Sequence, residues 1–437
     1  MSSAQGLPQV AEQWLHPLLN QPLSVWALAL LTLVLTLAAL VRPPRHLQQP
    51  SALAHHTDRT TSQTYTAVLA TAPVPRASLP SEKTYVTNSR DGTPTPAQSL
   101  PCWLDRYLAR RGPASERGAE AAAADGDDAQ DMEPADIFMS VVVPAYNEED
   151  RLAVMLDEAI QHLDAEYGPA DSTSILAATT ATSSASDGTA LKRRTPTVPS
   201  TTAGTHPAPT AGWEILLVSD GSTDATAAVA LDLAASRRLP PGALRVVTLR
   251  RNRGKGGAVT HGLRHVRGAW AVFADADGAS RFADLRALLA AARRAVAADA
   301  DADAPAVVAV GSRAHLVGSD AVVRRSALRN LLMHAFHLLL RLLTPAATSR
   351  IRDTQCGFKL LSRAALPHIV PHMHSEGWIF DVEMLMLAEA AGMPMVEVPV
   401  GWREVKGSKL NVVWDSLGMA WGLAILRAAW ALGVYRV

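Results

Sequence analysis

Four short apolar runs limit what this chain can fold into. Residues 137–143, 214–218, 244–249 and 269–274 each have the length of a strand buried on both faces. Each stops at polar or glycine-rich residues, and stretches with helical spacing lie between them. Residues 151–167 place Leu152, Met155, Leu156, Ala159, Ile160 and Leu163 on one side of a helix. Further helices are predicted from about residue 224, over 257–267 and over 328–343, with a fifth strand at 306–310. Strands alternating with helices predict an α/β domain with a doubly wound, largely parallel sheet. Ligands of such sheets bind outside the carboxyl ends of the strands. The candidate residues are therefore those just after each run: Asn147 and Glu148, Asp220 and Asp224, Asn252 and Lys255, Asp275 and Asp277.

Outside that alternation the composition changes. Residues 23–41 hold no charged side chain, and Ser24, Thr32 and Thr36 are their polar residues. About 20 apolar residues cross a bilayer, so this stretch predicts one transmembrane helix after a short luminal segment, residues 1–22. A cleaved signal peptide is the alternative, but it would have a shorter apolar region preceded by basic residues. Here Glu12 is the nearest upstream charge, and Arg42 and Arg45 follow the span, which places the rest of the chain in the cytosol. Residues 42–136, broken by many prolines, read as a low-complexity cytosolic tether. Residues 168–212 read as a disordered insertion between a helix and a strand, at the sheet end away from the site. The folded domain spans 137–411. Residues 412–437, where Trp414, Trp421 and Trp430 share an apolar stretch with Asp415 and Arg427, read as an amphipathic membrane-interface helix, with a buried core helix as the alternative.

Charge and cysteine use exclude other classes. Forty-one Lys and Arg balance forty-one Asp and Glu, which argues against a nucleic-acid binder. Two cysteines cannot build a disulfide scaffold or a four-cysteine zinc site. His334 with His337, and His372 with His374, have metal-like spacing but no evident third ligand, so they read as ordinary histidines.

Several motifs carry chemistry. Asp275-Ala276-Asp277 directly follows an apolar strand; two carboxylates there can hold a divalent ion with a diphosphate, or simply form a solvated turn. In Val218-Ser219-Asp220-Gly221-Ser222-Thr223-Asp224, Asp220 can accept hydrogen bonds from a base or ribose, and Asp224 suits a helix cap. Asn252-Arg253-Gly254-Lys255-Gly256-Gly257 fits neither the Walker A nor the dinucleotide pattern, which leaves a cationic loop at a helix start, suited to an anionic nucleotide. Arg313, Arg324, Arg325 and Arg329 flank an apolar helix. They read either as solvated arginines or as an anion site beside a membrane-facing stripe of Leu331, Leu332, Phe336, Leu339, Leu340 and Leu343.

Together these motifs resemble the inverting family-2 glycosyltransferases of the GT-A fold. Val142-Val143-Pro144-Ala145-Tyr146-Asn147-Glu148, the Asp220 motif and Ala274-Asp275-Ala276-Asp277-Gly278 match the family's nucleotide-side motifs in order. Gly311 to Leu316, Arg352 to Lys359, Trp378 to Glu383 and Glu404 to Leu410 resemble the branch that glucosylates dolichyl phosphate. The resemblance implies a GT-A-type sheet carrying one N-terminal transmembrane helix and C-terminal membrane-interface helices. It implies UDP-glucose as donor, dolichyl phosphate as acceptor, Mg²⁺ or Mn²⁺ as cofactor, and the cytosolic face of the endoplasmic reticulum membrane, in the supply of glucosyl groups for N-glycosylation. Carried over by motif, Pro144, Tyr146, Glu148, Asp220 and Lys255 surround the uridine. Asp275 and Asp277 hold ribose, metal and diphosphate, with Asp277 foremost for the metal. Lys409, beside Ser408, approaches the diphosphate, and Arg313, Arg325 and Arg329 grip the acceptor phosphate. Lys359 joins the substrate-binding set, and Asp381 and Glu383 join Asp277 in the catalytic set by orienting sugar hydroxyls. The alternatives are a mannosyltransferase of the same fold using GDP-mannose and a catalytically inactive membrane scaffold.

Overall fold

A computed structural model describes residues 82–111, 132–168, 209, 211–298, 306–316, 327–403, 405 and 412–435. The predicted span 23–41 lies outside them, as do Arg325, Ser408, Lys409 and the side chains of Arg329 and Trp414.

Two short strands, β1 (Thr84–Tyr85) and β2 (Gln98–Ser99), and helix α1 (Trp103–Arg111) precede the main alternation. That alternation runs β3 (Ile137–Ala145), α2 (Leu152–Tyr167), β4 (Trp213–Ser219), α3 (Thr226–Ser236), β5 (Leu244–Thr248), α4 (Gly254–Leu263), β6 (Gly268–Ala274) and α5 (Leu285–Ala298). It continues with β7 (Val308–Ser312), α6 (Ala327–Leu343), α7 (Ala346–Arg350), β8 (Phe358–Ser362), α8 (Leu366–Ile369), α9 (Phe380–Ala390), β9 (Met395–Pro399) and α10 (Val412–Ala431).

The seven-stranded sheet has the order β5-β4-β3-β6-β8-β7-β9. β3 pairs in parallel with β4 and β6, and β4 with β5. β8 runs antiparallel to both β6 and β7, and β7 is parallel to β9. β8 therefore alone opposes the common direction, which is the largely parallel sheet expected from the sequence. The strand pleat sends alternate side chains to opposite faces: Met139, Val141 and Val143 join the α2, α3 and α5 layer, while Val142 joins the α4, α9 and α10 layer. Helix α4 lies close against β3; a Cβ on Gly262 would stand 2.3 Å from Cγ1 of Val142.

Two expectations need correction. The 42–136 tether is partly folded domain. Thr87 Oγ1 donates to the Leu244 carbonyl at 2.7 Å, Val86 exchanges backbone hydrogen bonds with Val246, and Trp103 Nε1 donates to the Leu263 carbonyl at 2.7 Å. Leu100, Trp103, Leu104 and Tyr107 are buried in the core. Two-residue strands and a short helix give too few repeats for a periodicity to stand out. The second correction concerns α6: Phe336, Leu339, Leu340 and Leu343 turn inward to the core shared with Leu423 and Leu426 of α10. These four do not form an outward stripe; among the described side chains of that helix, Leu338 and Leu342 are the exposed leucines, and those of Leu331 and Leu332 are not among the described.

The insertion is closed at its base. Gly212 N–H donates to the Tyr167 carbonyl at 2.9 Å, and Phe138 N–H meets Gly212 O at 3.1 Å, where β3 begins. Its ends therefore meet at the amino-terminal rim of the sheet.

A charged network is sealed at the same rim. Glu214 is 0% exposed; it accepts from Ser140 Oγ at 2.6 Å, from Arg267 N–H at 3.0 Å and from Arg267 Nε at 2.9 Å, and it pairs with buried Arg245. Burial alone would raise the pKa of this carboxyl, but Arg245 and Arg267 outweigh it and hold it at about 2, below the ordinary 4.5. Its contribution to stability is thus whole above pH 4.5 and is lost as the pH falls toward 2. Glu214→Ala, which strands Arg245 without a counterion, should cost about 3 kcal/mol or more in denaturant unfolding at pH 7. A loss below about 1 kcal/mol would show that the network does not support the fold.

Candidate active site

Three strand ends are tied together at the carboxyl rim. Asp220 N–H continues the β3–β4 pairing onto the Ala145 carbonyl at 2.8 Å. Asn147, with φ 53°, accepts from Thr223 N–H at 2.8 Å and donates its own N–H to Ser222 Oγ at 3.1 Å. Asp224 accepts from Thr226 N–H at 3.0 Å and from Glu149 N–H at 3.2 Å, but it precedes the helix cap expected of it: the N-cap of α3 is Ala225, with no side-chain cap hydrogen bond. Gly221 has φ +69°, and a Cβ there would sit 2.5 Å from the Asn252 nitrogen. The backbone of the Asp220 turn can therefore press against the loop before α4. Asp220 itself is 3% exposed and accepts from Arg253 N–H at 2.7 Å. Burial pushes its carboxyl up to about 6, partly offset by the Arg253 and Gly254 N–H groups.

Around this turn Pro144 is buried opposite Val218, and Tyr146 is exposed at the rim. Glu148 is ion-paired with Arg151 through two hydrogen bonds of 2.8 and 2.7 Å. These residues line the same corner as Asp220.

Asp275 and Asp277 leave the end of β6. Lys255 Nζ, from the first turn of α4, sits 2.6 Å from Asp275 Oδ1. Burial opposes the Lys255 charge, but Asp275 and Asp381 overcome it and raise its pKa. Asp277 is shifted up, first by burial and then by the charge of Asp275. Its carboxylate accepts from Ala279 N–H at 2.9 Å. The place taken by the Asp275 carboxylate depends on Gly357: a Cβ on Gly357 would lie 2.0 Å from Asp275 Oδ2. Asp275 N–H also donates to the Gly357 carbonyl at 3.2 Å.

The opposite wall comes from β7, β8 and α9. Arg313 is held by Asp353 through Nε at 2.7 Å and a terminal nitrogen at 2.8 Å, with its backbone N–H at 2.9 Å to the same carboxylate. Its side chain keeps 35% exposure, and its charge acts on both Lys255 and Asp275. Asp381 is shifted up by burial, against the pull of Lys359 and Lys255. Trp378 stands exposed at the rim, with Lys255 Nζ 5.9 Å from its ring centre.

Two expected site residues are placed differently. Lys359 is 0% exposed; it pairs with Asp381 and donates to the Cys356 carbonyl at 2.6 Å, so its charge is used within the protein. Glu383, also 0% exposed, accepts from His374 and Ser375 N–H at 2.8 and 2.9 Å and from the Tyr435 hydroxyl. Both lie on elements that reach the site, but their side chains point into the packing behind it. Gly357, Asp353 and Trp378 are the residues that sequence reasoning did not single out. All three lie in segments that did stand out, and the signal was the glycine between Cys356 and the strand, an acid following Arg352, and a tryptophan ahead of a helix. Among the described residues, no group of three or more His, Cys, Asp or Glu side chains could hold a metal by itself.

The family model described as Glycosyl transferase family 2 matches residues 196–366. Fold, rim and match together define a glycosyltransferase with a GT-A-like sheet. The dolichyl-phosphate β-glucosyltransferase of Saccharomyces cerevisiae is 39% identical over 324 residues, covering 74% of this chain and 83% of that protein. The protein of the same name from Drosophila melanogaster is 40% identical over 299 residues, covering 68% and 77%. The Homo sapiens protein is 36% identical over 299 residues, covering 68% and 78%. The chain belongs to the dolichyl-phosphate β-glucosyltransferase family. A solved structure of glucosyl-3-phosphoglycerate synthase from Mycobacterium tuberculosis matches 68% of this chain and 79% of its own at 17% identity, with a TM-score of 0.39, too loose a likeness to bear on the site.

The contact between Gly357 and Asp275 gives a test of the geometry. Gly357→Ala should displace the Asp275 carboxylate and lower turnover about 100-fold, with little change in unfolding temperature. Near-normal turnover would show that the position of Asp275 does not depend on this glycine.

Proposed function

We propose that this enzyme transfers glucose from UDP-glucose to dolichyl phosphate with inversion, giving dolichyl β-D-glucosyl phosphate for lipid-linked oligosaccharide assembly. The carrying observation, beside family membership, is the Asp275–Asp277 pair held against Lys255 where the strands of the sheet end. Acids and a cation meeting there can receive the diphosphate of a nucleotide sugar while the buried Asp220 corner takes its base.

The acceptor oxygen is already anionic near neutral pH, so the reaction needs no strong base. That oxygen forms a bond to C1 as the bond from C1 to the UDP oxygen breaks on the opposite face, turning α into β. The protein must bring two anions together and favour charge on the departing diphosphate. Lys255 supplies one fixed positive charge for this, and Arg313, kept in place by Asp353, supplies another toward the acceptor phosphate. Arg325, Arg329, Ser408 and Lys409 belong to the same proposal. Asp275 and Asp277 suit Mg²⁺ or Mn²⁺: one or two carboxylates plus substrate phosphates are a usual shell for such an ion, and the mutual repulsion that raises Asp277 would be relieved by a cation. Bound there, a divalent ion would neutralise the leaving diphosphate. Asp381, expected to orient a sugar hydroxyl, is 2% exposed and sealed in its pair with Lys359, so it acts on this space only through its charge on Lys255.

A lipid acceptor calls for a surface that meets a bilayer. Among the described residues no helix is long and apolar enough to cross a membrane. Leu417, Trp421 and Ile425, four residues apart, form one exposed stripe on α10, continued by Leu432 and Val434; Trp421 is 67% exposed. This stripe supports an interfacial role for α10. The 23–41 span as anchor and the catalytic domain on the cytosolic face of the endoplasmic reticulum membrane complete the proposal from the charge pattern around that span.

Membranes carrying the chain, given dolichyl phosphate and a divalent ion, should transfer glucose from UDP-glucose, and chelation should stop the reaction. Asp277→Asn should do the same without unfolding the protein. Transfer from GDP-mannose alone would point to the mannosyl enzyme, and transfer from neither donor to a scaffold. The Asp220 corner adds a pH dependence: kcat/KM for UDP-glucose should fall below about pH 6, as Asp220 takes up a proton, by about tenfold per unit. Asp220→Asn should flatten that limb; an unchanged profile would remove Asp220 from donor binding.

A further inference from the structure

Trp378 is an exposed aromatic side chain on a turn that is otherwise tightly fastened. The Glu376 carbonyl accepts from Gly257 N–H at 3.0 Å, and the Glu376 carboxylate takes the Arg253 guanidinium at 2.9 and 2.6 Å. The preceding residues hang from Glu383, whose two oxygens accept the His374 and Ser375 N–H groups at 2.8 and 2.9 Å. A sealed carboxylate can only accept hydrogen bonds, and its third donor comes from far along the chain: the hydroxyl of Tyr435, just past α10. Tyr435 is itself fixed, stacked on Trp430 with ring centres 5.0 Å apart and planes at 10°, and 5.3 Å from the His374 ring.

The fastened turn therefore holds the Trp378 side chain 43% exposed, 5.9 Å from Lys255 Nζ, the cation that the reading above gives to the donor's diphosphate. The sugar of a bound nucleotide sugar must lie beside that diphosphate. A pyranose offers C–H groups to an aromatic ring. In an α-linked glucosyl donor the axial anomeric oxygen blocks one face and leaves the other open to such contact, whereas the axial 2-hydroxyl of mannose stands on that remaining face.

We propose that Trp378 is the platform on which the donor hexose rests, and that Tyr435 is a positioning residue that fixes this platform through Glu383. The proposal rests on the glucosyl-transfer reading above. It joins the helix that carries the exposed apolar stripe to the turn that carries the sugar contact.

Steady-state kinetics on the full-length chain in membranes, with UDP as product inhibitor, test it. Trp378→Leu, which keeps apolar bulk but removes the ring, should raise KM for UDP-glucose about tenfold, leave the inhibition constant of UDP within about twofold, and leave KM for dolichyl phosphate unchanged. Trp378→Phe should restore most of the loss. Tyr435→Phe, which keeps the ring stack and deletes only the hydroxyl, should give the same split at about threefold to tenfold, and the double variant should be no worse than Trp378→Leu alone. A UDP inhibition constant that rises in step with KM would make Trp378 a nucleotide contact and overturn the platform. An unchanged KM in Tyr435→Phe, or additive losses in the double variant, would overturn the positioning role. A wild-type chain that transfers no glucose would instead remove the reading on which both stand.

Discussion

Everything at the rim depends on how two carboxylates are kept beside each other. Asp275 and Asp277 repel, and burial makes the repulsion harder to screen. The protein answers with one cation from a different element, Lys255, and with an absent side chain, at Gly357. The cation offsets charge, and the glycine gives the carboxylate its place. Neither contribution comes from the strand that carries the acids, so β6 and β8 and the start of α4 must be in register before the pair can exist. The sheet order, which sets the antiparallel β8 directly beside β6, is thus a condition of the chemistry as well as of the fold.

Charges elsewhere are treated differently, and the contrast separates site from scaffold. Glu214 with Arg245 and Arg267, and Lys359 with Asp381, are sealed pairs whose hydrogen bonds end within the protein. Such pairs are costly to break and add little affinity for anything outside. Lys255, Asp275 and Arg313 keep part of their side chains open while remaining paired. A charge that is both held and accessible can be passed to a ligand; a charge that is held and sealed can only fix geometry. Lys359 therefore serves the site by fixing Asp381 from behind.

The sequence carried much of this in legible form, and the exceptions have physical reasons. β3 to β6 could be read because strands buried on both faces are continuous apolar runs that break at polar turns, and those turns are where a parallel sheet binds its ligands. β8 was hidden because it begins inside the 352–359 motif, and β9 because Glu397 and Pro399 interrupt its apolar residues. Residues 82–111 were lost among prolines because their attachment consists of single bridges and one short helix. Lys359 and Glu383 looked like ligand residues because residue type does not reveal burial, and partners such as Tyr435, 52 residues from Glu383, become neighbours only after folding. On α6 the periodicity was right and its direction was not, since a stripe of leucines suits a lipid surface and a second helix equally well.

The junction between Tyr167 and Gly212 has a consequence for how a chain like this can change over time. One backbone hydrogen bond brings the two ends together at the rim farthest from the acids, so whatever is spliced between them starts and stops at the same point. Under the logarithmic cost of closing a loop, doubling such a segment is worth only about 0.6 kcal/mol. Selection on turnover therefore has almost no grip on its length, and this seam is where the chain can acquire new sequence while its catalytic face stays as it is.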